Sequence, residues 1–85
     1  MQDAIKAIIE TGLVEVQATV VGDGSHFEAT VVGVCFEGKS LLQKQKMVYA
    51  LLSDKITNGE IHAITIKAYT PEEWQKASRF QVGSA

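Results

Sequence analysis

The sequence predicts an α+β fold: a three-stranded mixed sheet packed against helices. Three observations carry this. Two stretches alternate apolar and polar residues around a short Gly-rich connection, the pattern of a β-hairpin. A long helical stripe then separates that hairpin from a third alternating stretch, so the third strand is reached through a helix. Helical spacing also marks the first residues, and the signature of a helix start follows the third strand.

Each element has its own signal. Asp3 to Thr11 places Ile5, Ile8 and Ile9 at helical spacing, with Gly12 as the C-terminal stop. Leu13 to Val21 reads as a strand, because Val14, Val16, Ala18 and Val20 alternate with Glu15, Gln17 and Thr19. Gly22-Asp23-Gly24-Ser25 is a turn, and Phe27-Glu28-Ala29-Thr30-Val31 resumes the alternation. At Val31-Val32-Gly33-Val34 the phase changes, which predicts a bulge or bend at Gly33. Glu37-Gly38-Lys39 ends this strand, leaving Cys35 inside it.

Ser40 caps a helical region running to about Thr57, with Leu41, Leu42, Val48, Leu51, Leu52 and Ile56 as its apolar stripe. Periodicity leaves open whether this is one helix or two. Asn58-Gly59 suits a left-handed cap. A third strand puts Ile64, Ile66 and Ala68 on one face and Thr65, Lys67 and Tyr69 on the other. In Thr70-Pro71-Glu72-Glu73-Trp74, Thr70 is the predicted N-cap, Pro71 the first helical residue and Glu73 the return partner of a capping box. Trp74 is expected to anchor this last helix onto the sheet.

The 85 residues suit one domain, spanning 1–80, with a flexible tail at 81–85. A hydrophobic fraction of 46% is too high for a disordered chain. No apolar run approaches the roughly 18–20 residues that span a bilayer. Met1-Gln2-Asp3-Ala4-Ile5-Lys6 lacks the basic start and apolar stretch of a signal peptide, so a cytoplasmic protein is expected. Eight basic against ten acidic residues give a net charge of -2, whereas nucleic-acid binders usually carry a basic excess. A lone cysteine excludes an intrachain disulfide and a Cys-rich zinc site.

Little in the chain reads as catalytic. There is no G-x-S-x-G elbow, Walker loop or H-E-x-x-H helix, and Cys35 reads as a buried packing thiol. His26 closes the turn near solvent. His62 follows Asn-Gly at the start of the third strand, where by parity it shares a face with Ile64 and Ile66, so a partly buried structural histidine competes with the ligand reading. Both are candidate metal ligands on strand termini. Lys44-Gln45-Lys46 is the one local concentration of basic residues and reads as a solvated helix face. Tyr49 and Trp74 read as packing residues rather than base-stacking platforms.

Gly22-Asp23-Gly24-Ser25-His26-Phe27, Phe36-Glu37-Gly38-Lys39, Gln45-Lys46-Met47-Val48-Tyr49 and Ile61-His62-Ala63-Ile64 together resemble the BolA-like family. Lys67-Ala68-Tyr69-Thr70-Pro71-Glu72-Glu73-Trp74 is similar to its IbaG (YrbA) branch. The likeness runs from about residue 3 to residue 78. It implies a class II KH-like fold with αββααβα order, a monothiol glutaredoxin partner of the Cys-Gly-Phe-Ser type, and a shared [2Fe-2S] cluster. It further implies roles in iron–sulfur trafficking, iron homeostasis and acid stress. His62 matches the family's C-terminal cluster ligand, and His26 lies in the loop where members carry a cysteine or histidine as second ligand. Cys35 corresponds to neither.

Two departures bear on nucleic acid. Lys44-Gln45-Lys46 stands where the BolA branch carries Arg-His-Arg, and the G-x-x-G loop of ordinary KH domains is absent. The leading expectation is therefore a non-enzymatic adaptor, a monomer or weak homodimer when alone, with no membrane role. The alternative is a nucleic-acid-binding transcriptional regulator using the Lys44–Lys46 helix. A small enzyme using Cys35 is the distant third. For the [2Fe-2S] cluster that the resemblance implies, four ligands are needed, and two histidines with one buried cysteine cannot supply them alone, so a partner would complete the set.

Overall fold

The computed structural model describes residues 1–22 and 26–83, with side chains described through Ala77. Helix α1 (Gln2–Gly12) leads into β1 (Val16–Gly22) and β2 (His26–Gly33). A 3₁₀ turn (Val34–Phe36) precedes α2 (Leu41–Thr57), followed by β3 (Ala63–Tyr69) and α3 (Pro71–Gly83). The sheet order is β1-β2-β3, with β1 antiparallel and β3 parallel to the central strand. The mixed three-stranded α+β architecture is as the sequence predicts.

One sheet face carries the core. Phe27, Ala29 and Val31 of β2 lie opposite Ile64, Ile66 and Ala68 of β3. Ile5 and Ile9 from α1 and Val48 and Leu52 from α2 close over them, all four fully buried. Burying an isoleucine or leucine this completely contributes about 1.5–3 kcal/mol each. Helix α1 ends at Gly12, as expected, and the missing side chain there also serves packing. A Cβ there would fall 2.5 Å from Leu51 Cδ2, so its absence lets α1 close on α2.

Four expectations need correction. First, β1 starts at Val16, not Leu13: Glu15 takes φ 54° in a turn, and Val14 is 74% exposed. Second, of the bulge or bend expected at Gly33 there is no bulge, and the chain turns only after it. Alternation continues through Gly33, which lies opposite Val16, the first residue of β1. With no partner left beyond it, the chain coils into the 3₁₀ turn and buries Phe36. Cys35 therefore sits in that turn and not in a strand. Third, a single 17-residue helix joins β2 to β3, so one α-helix and a 3₁₀ turn replace the two helices of the expected order. Fourth, the stripe of α2 is displaced: Leu41 and Leu42 are exposed, while Lys44 is buried with Val48 and Leu52 at i, i+4 and i+8.

On each sheet edge, helix side chains bond two backbone groups. On β1, Glu10 accepts the Ala18 N–H at 3.0 Å and Gln2 donates to the Gly22 carbonyl at 2.8 Å. On β3, Tyr49 donates to the Ile64 carbonyl at 3.1 Å and Gln45 to that of Ile66. The spacings agree: four residues of helix rise about 6 Å, and two of strand about 6.6 Å. Such contacts occupy backbone groups that would otherwise invite another strand.

Helix α3 begins as predicted. Thr70 Oγ1 accepts the Glu73 N–H at 3.1 Å, and Glu73 Oε1 accepts the Thr70 N–H at 2.8 Å, completing the capping box. Trp74 rests on Tyr69 with ring centroids 5.4 Å apart. The parity of Tyr69 puts it on the face away from α1 and α2, so α3 covers part of that second face. The helix runs to Gly83, through three residues of the expected tail; Ser84 and Ala85 lie outside the described residues.

Candidate functional site

The parallel pairing of β2 and β3 decides what happens to the histidines. His26, the first residue of β2, lies opposite Ala63, the first of β3. His62 immediately precedes Ala63. Two residues 36 positions apart in sequence thus lie at the same end of neighbouring strands. Both are exposed, which removes the competing reading of His62 as a partly buried structural residue: the chain bends at His62 before the strand begins, and strand parity does not reach it.

Local structure fixes His62 from behind. Gly59 takes the left-handed φ of 85° that ends α2, and Asn58 Oδ1 accepts the Glu60 N–H at 3.0 Å. Lys55 binds Glu60 at 2.9 Å and, with Asn58, holds that carboxyl below its ordinary range. The Ile61 N–H reaches the Lys55 carbonyl, and its side chain is 2% exposed. A buried anchor directly before an exposed histidine leaves little freedom in where the imidazole starts.

His26 is placed by strand alternation. Phe27 is buried and His26 points to the other face. The predicted turn before it, Asp23 to Ser25, lies outside the described residues. An open groove of about 390 Å³ adjoins it, lined by Val21, Gly22, His26, Phe27, Glu28 and Thr65. Glu28 pairs with Lys67 across the strands at 2.9 Å, and this carboxylate holds the Lys67 ammonium above its ordinary value. The lining residues Val21, Glu28 and Thr65 carry no motif. Only the sheet register assembles them.

Cys35 is elsewhere. It follows the far end of β2, more than about 20 Å along the strand from His26. It is half-buried against the core, and burial pushes its thiol up, away from the reactive thiolate. Among the described residues no three His, Cys, Asp or Glu side chains converge as a metal site. Among the described residues the two histidines lie at one end of the sheet, and the Glu28 carboxylate that lines the same groove as His26 is paired with Lys67.

Lys44 does not belong to a solvated basic face. It is 6% exposed and bonds Glu73 of α3 at 2.6 Å. Of the Lys44–Lys46 pair, only Lys46 faces solvent.

Fold and site together define a small α+β domain with a mixed sheet, edge strands tied to helix side chains and two histidines at one end. Comparison with known proteins gives that class its name. A profile described as BolA-like protein matches residues 5–73, and the chain belongs to the BolA-like family. The acid stress protein IbaG of Escherichia coli is 43% identical over 72 residues, covering 85% of this chain and 86% of that protein. A bolA protein homologue from Coxiella burnetii superposes with a TM-score of 0.77 at 41% identity, covering 88% of this chain and 96% of that one. BolA1 from Arabidopsis thaliana gives 0.75 at 26% identity, over 85% and 93% of the two chains. No helix among the described residues is long and apolar enough to cross a membrane.

Proposed function

We propose that the protein is a cytoplasmic, non-enzymatic adaptor that binds a monothiol glutaredoxin and shares a [2Fe-2S] cluster with it. The observation that carries this reading is the juxtaposition of His26 and His62 at one exposed end of the sheet. His62 and His26 would supply two ligands on one iron, an arrangement that histidine supports in place of cysteine. The partner and glutathione would supply thiolates for the other. The cluster is cargo held between two proteins, and its place in iron–sulfur trafficking or iron homeostasis follows from that. The acid-stress name of the Escherichia coli relative extends the setting to acid stress.

Nucleic-acid regulation through the α2 helix is the weaker reading, because Lys44 is buried and neutralised by Glu73. The deciding experiment is anaerobic reconstitution with a Cys-Gly-Phe-Ser glutaredoxin, iron, sulfide and glutathione. A heterocomplex with a visible circular dichroism spectrum distinct from that of the glutaredoxin alone is expected. Recovery of the two proteins as separate species, with the cluster wholly on the glutaredoxin, would overturn the proposal.

A further inference from the structure

We infer that the start of α2 carries a second docking surface, one that takes an acidic, apolar segment of a protein partner. The charge pattern points there. Five of the seven lysines are paired: Lys6 with Glu10, Lys44 with Glu73, Lys55 with Glu60, Lys67 with Glu28 and Lys76 with Glu72. Lys39 and Lys46 alone among the described lysines have no acidic partner. Both line the same groove, of about 370 Å³, together with Gln43 and Met47. Glu37, two residues from Lys39, forms no ion pair with it.

The groove is also apolar and well fixed. Met47 is half-buried at its base, and Leu42, one helical turn before Lys46, is 59% exposed. Leu41 beside it is 63% exposed. The backbone is held on both sides of Lys39: its N–H reaches the Phe36 carbonyl at 3.1 Å, and Ser40 caps the helix with a return bond from Gln43. A volume of this size accommodates one or two side chains. Two cations over an apolar floor complement glutamates flanking leucines on an amphipathic segment. Duplex nucleic acid fits less well, since two free lysines release few counterions and the floor is greasy.

Position gives the surface its meaning. Tyr49 and Gln45 tie the middle of α2 to Ile64 and Ile66, so the helix start lies toward the far end of β3 from His62. Gln43 is about 9 Å along the helix from Tyr49, further again from the histidines. A partner seated there leaves the histidine end free. The surface is independent of the cluster reading and stands if that reading fails.

The test uses the full chain and three probes. These are an acidic amphipathic peptide with leucines at i, i+3 and i+7, the same peptide with glutamine for glutamate, and mixed-sequence duplex DNA. Binding is followed by fluorescence anisotropy and by amide shifts at about 150 mM salt. The acidic peptide is expected to shift Lys39, Gln43, Lys46 and Met47 and to bind better than its glutamine version. Lys39→Glu with Lys46→Glu should weaken it about tenfold. Lys76→Glu, an exposed charge reversal elsewhere, and His62→Ala should leave it unchanged. Absence of binding, affinity unmoved by the double reversal, or preference of this surface for DNA would each overturn the inference.

Discussion

Lys44 Nζ donates to Glu73 Oε1 at 2.6 Å, and the same oxygen accepts the Thr70 N–H. One carboxylate thus neutralises a buried lysine of α2 and closes the capping box of α3. The Lys44 side chain is 7% exposed, whereas that of Glu73 is 48% exposed. Removing each partner therefore has unequal consequences. Glu73→Ala strands a buried ammonium and should cost about 2–3 kcal/mol, while Lys44→Met leaves only a hydrated carboxylate and should cost less than about 1 kcal/mol. Urea unfolding of the two variants measures this. Equal losses, or a milder Glu73→Ala, would mean that Lys44 reaches water when its partner is gone.

The same contact shapes stability against pH. Lys44 first, and the Thr70 N–H second, hold the Glu73 carboxyl below its ordinary value of 4.5. Lys6 and the Ala18 N–H do the same for Glu10. A carboxyl lowered in the folded state contributes stability that is present above its unfolded value. That contribution is lost as pH falls through the folded value. The protein should hold its stability down to about pH 4.5 and lose it below. Glu73→Gln should flatten that acid limb while lowering stability near neutrality. An acid limb as steep as that of the parent chain would show that other carboxyls carry it.

Two capping boxes form, and they are separable. Ser40 with Gln43 opens α2, and Thr70 with Glu73 opens α3. Ser40→Ala and Thr70→Ala should each cost about 0.5–2 kcal/mol. Thermal melts check both. Thr70→Ala should have the larger effect, because Glu73 also answers to Lys44. An unchanged melting temperature with α3 intact would remove Thr70 from the cap.

What was legible in the sequence was local. Alternation from Val16 onward, the Ser40 and Thr70 caps and the Gly59 turn all depend on neighbours within four residues. Glu15 broke the expected start of β1 because a positive φ at a non-glycine leaves no compositional mark. Lys44 was misplaced because its partner lies 29 residues away, and a lysine on an apolar stripe reads as solvated until that partner is known. The two histidines stood out individually. Their placement at the same end of the sheet depends on the parallel register of β2 with β3, which no short-range pattern specifies.

That register also sets the order in which cluster ligands should matter. His62 follows a buried isoleucine and a hydrogen-bonded turn, so its starting point is fixed before any partner arrives. His26 is the first residue of β2, opposite Ala63, and is the second proposed ligand. Cys35 is at the opposite end of β2, with its thiol pushed up by burial. In a complex reconstituted with a monothiol glutaredoxin and glutathione, His62→Ala should shorten the cluster lifetime about tenfold or more. His26→Ala should weaken the cluster less or alter its spectrum, and Cys35→Ser should leave it nearly unchanged. Visible circular dichroism and electron paramagnetic resonance read all three. Loss of an imidazole from one iron should also move the reduction potential, because histidine in place of thiolate raises it. An unaltered spectrum and lifetime in His62→Ala, with the two proteins still bound, would show that the histidine end of the sheet touches the partner without holding its iron.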